Sequence, residues 1–214
     1  MDEETSIIDT NTRNEKIKIF FINNKKKLLI LISTIILILI SYFGYSEYKD
    51  TKKKQTSNYY NSAIIDYSKG NLELIRERLI EVVTEKDPTY SPLALYFIID
   101  NDLAESREQV NSLFDILINK TSLENEIKNL IIYKKALFNA DEASELELLN
   151  ILKPLTNSNS VWKSHALFLI GEFFYDKGEF QKSKDFFNKI VLIENLNTEI
   201  LINTQRRLNR DFSD

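Results

Sequence analysis

The chain has 214 residues, no cysteine, one histidine, four glycines and a net charge of −4. Without cysteine it forms no disulfide and offers no thiolate, a single histidine cannot supply a metal-binding pair, and glycines at 44, 70, 171 and 178 cannot build a phosphate-cradling loop or a dinucleotide fingerprint. The acidic balance is a poor match for nucleic acid, which needs a basic face to displace its counterions.

Residues 1–27 read as a polar N-terminal tail with an acidic opening and an apolar patch at Ile17, Ile19, Phe20, Phe21 and Ile22, which suits a short helix at a membrane surface. Leu28 to Tyr45 then runs eighteen residues without a charge. At about 1.5 Å per residue it reaches roughly 27 Å, close to the hydrocarbon thickness of a bilayer at about 30 Å, and it reads as a transmembrane helix. A buried core helix would be shorter and would keep a polar stripe. A cleaved signal peptide fits poorly, because the stretch after the run, SYFGYSEYKD, has no small-x-small cleavage site, and no cysteine follows for lipidation.

Charge bears on orientation. Residues 1–27 carry six basic and five acidic side chains, a net of +1, which leaves −5 for the rest of a chain totalling −4. Lys25, Lys26 and Lys27 abut the span on one side, while Lys49, Lys52, Lys53 and Lys54 follow it on the other. The slight basic excess on the N-terminal side favours a cytoplasmic N-terminus, and charge alone leaves the opposite orientation open.

Residues 46–57 lack glycine and proline and read as a helical stalk; residues 58–214 read as one helical domain. Tyr60, Ala63, Ile64 and Tyr67 recur at three- and four-residue spacing, Lys69-Gly70-Asn71 makes a turn, and Leu72, Ile75, Leu79, Val82 and Val83 mark a helix ending before Pro88. Ser91-Pro92 opens a helix broken at Asn101-Asp102, and Val110 to Leu117 carry the next one to about Asn119. Further helices are expected near Leu123 to Asn139 and Ala143 to Leu152, followed by a loop containing Pro154 and Asn157 to Ser160. Trp162 to Asp176 and Glu179 to Ile193 form the last pair, Trp162 being expected in the core, and Thr198 to Asn209 closes the chain. No strand alternation of useful length occurs, so the fold class is all-α.

Helix pairs at this spacing invite a search for a repeat near 34 residues. Leu167 to Ile190 fits the tetratricopeptide pattern: Leu167, Ile170, Gly171 and Phe174 share one face, Gly178 turns, and Ser183, Phe187 and Ile190 face back. Gly171 and Ser183 are small where two helices would cross closely. Asn58 to Pro88 is a weaker copy, Phe114 and Leu117 fall 34 residues after Ile80 and Val83, and residues 123–152 lose the pattern while remaining helical.

A tail, one span, a degenerate tetratricopeptide-like solenoid, the stretch VWKSHALFLIGEFFYDKGEFQKSKDFF and a terminal TQRRLNR helix together resemble the bacterial YfgM-like family, anchored proteins associated with the Sec translocon. The similarity covers most of residues 25–210, and its specific part is Trp162 to Ile190. The resemblance implies an inner-membrane protein with a cytoplasmic N-terminus and a periplasmic domain that binds translocon subunits, periplasmic chaperones or peptides. It implies no enzyme activity.

The residues themselves carry no evident chemistry. Glu142, Glu145 and Glu147 scatter as a solvated helix face, and no catalytic residue, cofactor or metal ligand is assigned. Function in helical arrays of this kind lies on the concave side, lined by the first helix of each pair. In the last pair that face holds His165, Phe168, Glu172, Tyr175 and Asp176, where aromatic and charged side chains together suit capture of a peptide or helix, unless the face is ordinary surface or packs on another helix. The equivalent face of the first pair holds Asn58, Asn61, Ile65 and Lys69. Two functions compete: a membrane-anchored protein-binding adaptor, and a structural scaffold subunit of another membrane complex with no groove.

Overall fold

A computed structural model of the chain describes residues 2–194 and 197–212, with side chains from residue 13 onward. Among the described residues the structure is helical throughout, with no strand. The first helix, α1, spans Asp2–Tyr67. From residue 2 onward the stretches read as tail, span and stalk lie in it, because between residue 2 and Tyr67 no proline occurs and Gly44 is the only glycine, so nothing removes a backbone bond or relaxes the helix. Within the span the Leu and Ile side chains from Leu29 to Ile40 are 48–67 % exposed. The chain itself covers none of the most apolar eighteen-residue window, so α1 is one helix long and apolar enough to cross a membrane, with a surface that only another phase or another molecule can cover.

The chain divides into two compact units after Gln55. In the second, the last turns of α1 join the packing: Ala63 is fully buried, and Tyr60, Ile64 and Tyr67 lie against the same core. Gly70, at φ +89°, turns the chain, and Asn71 caps α2 (Leu72–Thr84) by accepting from the Leu74 N–H at 3.3 Å. After Lys86, at φ +59°, the Asp87 carboxylate accepts from the N–H groups of Thr89 and Tyr90, both at 2.8 Å, and starts α3 (Tyr90–Asp100). Pro92 sits in the first turn, where its missing N–H would be unpaired in any case. Asp102 at φ +51° ends the run, and Ser106 caps α4 (Arg107–Lys120).

α5 (Asn125–Asn139) follows, and a Ser144/Glu147 capping box opens α6 (Glu145–Thr156). Here the expected loop is displaced. Pro154 lies inside α6, and the loop begins only at Asn157. Leu152 and Leu155 are both fully buried, and helical register must continue through Pro154 to bury the second. Burial of a leucine stabilises by about 2 kcal/mol, enough to offset one lost backbone bond in a last turn. The final helices are α7 (Lys163–Asp176), α8 (Phe180–Val191) and α9 (Thr198–Asp211).

The helices of the second unit pack in chain order. α2 lies on α3, α3 on α4, α4 on α5, α5 on α6, α6 on α7, α7 on α8 and α8 on α9, and the further contacts join next-but-one neighbours: α2 with α4, α5 with α7 and α7 with α9. Connections of a few residues between helices that pack together make successive helices fold back on one another. The apolar interior follows the same order. One cluster gathers α1 to α4 together with Ile131 and Phe138 of α5, a second α5 to α8 around Leu148, Leu152, Ile170 and Phe174, and a third joins α7, α8 and α9 around Leu167, Phe187 and Ile190.

Candidate functional site

The α7–α8 pair positions the face expected to bind a partner. Gly171 and Ser183 meet at the crossing: the Ser183 hydroxyl donates to the Gly171 carbonyl at 2.8 Å, and both residues are buried. A Cβ at Gly171 would lie 2.7 Å from Cε1 of Phe187, so only glycine lets α8 approach this closely without moving that ring. Phe174 stacks on Phe186 at 5.5 Å, and Phe187 is fully buried. The expected core face of α7, Leu167, Ile170, Gly171 and Phe174, is buried in full.

On the other side of α7 the five candidate residues separate. Phe168, Glu172 and Tyr175 are brought together, half-buried beneath α9. Glu172 accepts from Nε of Arg207 at 2.6 Å and from its Nη2 in a bidentate pair. Arg207 also donates from Nη1 to Asp211 at 2.9 Å, and its guanidinium lies 4.5 Å from the ring centroid of Tyr175. Tyr175 is held edgewise against Phe180 at 5.3 Å and Phe212 at 6.0 Å. Phe168 rests on Phe187 at 5.4 Å, in the cluster that also takes Ile200, Leu208 and Phe212.

Asp176 stays exposed outside this contact. His165 lies elsewhere, in an aromatic group with Trp162 at 5.0 Å and Tyr133 of α5 at 5.8 Å; its Nδ1 is buried without a hydrogen-bond partner. Trp162, expected in the core, is half-buried and stacked on Tyr133 at 5.7 Å. Asn58, Asn61 and Ile65 on α1 and Lys69 in the turn after it are all exposed.

Electrostatics at the α7–α9 contact follow the geometry. Hydrogen bonds from Arg210, then from Arg207, pull the Asp211 carboxyl down to about 2, and the bond to Glu172 raises the Arg207 guanidinium above its usual range. The result is a chain of alternating charge, Glu172–Arg207–Asp211–Arg210, with the Arg207 guanidinium over the Tyr175 ring. Among the described residues no group of three His, Asp or Glu side chains is arranged to hold a metal. What the arrangement holds is the basic, partly apolar side of α9.

Arg207, Asp211 and Phe212 belong to this site and were not singled out from sequence. Two signals were available: Arg207 and Asp211 stand four residues apart, the spacing of a helical ion pair, and Ile200, Thr204 and Leu208 recur every four residues along one side of the terminal helix. Neither indicates that α7 is the surface they face. No protein-family model matches the chain, and no curated protein or solved structure matches it significantly.

Proposed function

We propose that the chain is a non-enzymatic, membrane-anchored protein-binding adaptor, built as a degenerate tetratricopeptide-like solenoid and associated with the Sec translocon and periplasmic chaperones of a bacterial inner membrane. In this reading the N-terminus is cytoplasmic and the domain periplasmic. The observation that carries it is the packing: helices meet their neighbours in chain order and divide the apolar interior into successive clusters, and α1 carries an eighteen-residue apolar stretch that is left uncovered. The close Gly171–Ser183 crossing and the resemblance of Trp162 to Ile190 support the repeat. Anchoring raises the local concentration of partners at the membrane, so modest contacts suffice.

A structural scaffold subunit without an open groove is the second reading, favoured by the seat of α9 on Phe168, Glu172 and Tyr175. Photocrosslinking in native membranes separates the two, with reactive residues at the 65 % exposed Ile65, at Asp176, and within Leu28 to Tyr45. Capture of translocon subunits or periplasmic chaperones from the domain positions is the expected result and also reports the side of the membrane. Adducts from the span alone would leave the scaffold.

A further inference from the structure

α9 reaches its neighbours with almost no buried apolar side chain. Each helix from α2 to α8 buries at least three side chains, whereas α9 buries only Thr204, whose hydroxyl is taken up by the Ile200 carbonyl of the same helix at 2.7 Å. Ile200, Leu208 and Phe212 are half-buried. What registers them is polar: the Arg207 fork on Glu172, and Lys184 of α8 donating to the Phe212 carbonyl at 3.2 Å. An element with little buried apolar area and partly exposed ion pairs opens at the low end of the local stabilities in a domain.

The face beneath it is differently made. Phe168, Glu172 and Tyr175, spaced by four and three residues, present an acid between two aromatic rings on α7, which is itself held by seven buried residues. Such a surface accepts a basic residue flanked by apolar ones. α9 supplies that pattern, with Ile200, Arg207, Leu208 and Phe212 along one side.

We propose that α9 is a detachable internal ligand: it occupies the partner-binding face of α7 in the resting chain and is displaced by an amphipathic helix of a partner protein that sets an arginine against Glu172 and apolar side chains against Phe168 and Tyr175. The inference rests on the protein-binding reading above and adds the chemistry of the occupant and the gate it must open. A tethered occupant acts at high effective concentration, so an external helix binds with its affinity lowered by the fraction of chains that are open.

The test uses the full chain in detergent micelles and, as probe, a fluorescent peptide with the sequence of residues 197–212, followed by anisotropy together with amide hydrogen exchange. Arg207→Glu sets two carboxylates against each other and leaves the α7 face untouched. The expected result is an apparent affinity for the peptide roughly tenfold above wild type, with faster exchange in α9 and unchanged exchange in α2 to α6. The double variant Arg207→Glu with Glu172→Arg restores the internal pair and repels the peptide, so α9 protection returns and the gain in binding disappears. Two results overturn the proposal: Arg207→Glu releases α9 with no gain in peptide binding, or α9 opens only together with α7 and α8. Neither arm uses the native partner, so failure here leaves the adaptor reading to be judged by capture from Ile65 and Asp176 in membranes.

Discussion

Phe187→Ala tests whether the domain is held by neighbour-to-neighbour packing. The ring is fully buried where α8 meets α7 and α9, 5.4 Å from Phe168 and 6.1 Å from Phe212. Its truncation forfeits the transfer of a phenyl group and leaves a cavity between helices that cannot fully close, at a cost of about 3–5 kcal/mol. Leu79→Ala on α2, also from full burial, costs about 2–5 kcal/mol in the first cluster. In one cooperative core either substitution would weaken every helix alike. Packing confined to adjacent helices keeps the damage local. Amide hydrogen exchange on the detergent-solubilised chain should show α7 to α9 of Phe187→Ala exchanging roughly a hundred- to several-thousand-fold faster, with α2 to α4 near wild type, and the reverse pattern for Leu79→Ala. Equal acceleration at both ends by both substitutions would refute the neighbour-packing argument, and a loss below about 1 kcal/mol for Phe187→Ala would show that the site collapses around the cavity.

Gly171→Ala gains about 1 kcal/mol of helix propensity but drives its methyl into the buried Phe187 ring, an overpacking cost of about 1–3 kcal/mol. A net fall in thermal midpoint is expected, and a rise would mean the ring yields. Ser144→Ala removes the N-cap of α6, including the bond to the Glu147 N–H at 3.3 Å, and should cost about 1 kcal/mol in urea unfolding; no change would show that water replaces the cap. Because the folded Asp211 carboxyl is held at about 2 by Arg210 and Arg207 of its own helix, below its unfolded value near 4, it stabilises the end of α9 above about pH 4 and loses that contribution as pH falls toward 2. Exchange protection in the last turn of α9 should therefore decline across that window, and Asp211→Asn should remove this share of the acid response while leaving α2 to α6 unchanged. Ile36→Arg with Leu37→Arg in the middle of the apolar stretch, each costing about 2.5–3.5 kcal/mol in a bilayer, should make the chain extractable from membranes by alkaline carbonate; retention would argue against a span.

Most helix limits were legible because they are local. Gly70 turns the chain where the sequence reading places a turn, and Asp87, Ser106 and Ser144, which that reading does not single out, start their helices by accepting from backbone groups within three residues of themselves. Pro154 misleads for a tertiary reason: a local breaker is overruled by burial of Leu155 in the cluster that α6 forms with α5 and α7. The Gly171–Ser183 crossing was legible because its two small residues lie twelve apart across one tight turn.

The face of α7 marks where local reading stops. Spacing alone places Phe168, Glu172 and Tyr175 on one side of a helix, and its amphipathic pattern shows which side is core. The sequence by itself determined an all-helical chain, an uncharged apolar stretch from Leu28 to Tyr45, and which residues of α4, α7 and α8 turn inward, since all three depend on composition and a 3.6-residue period. Only the tertiary structure decided that Glu172 takes Arg207 from thirty-five residues away and that α9 covers Phe168 and Tyr175 while His165 turns to Trp162 and Tyr133. Charge and aromatic character state what a surface accepts; which segment fills it depends on where the remote parts of the chain are carried by the helices between them.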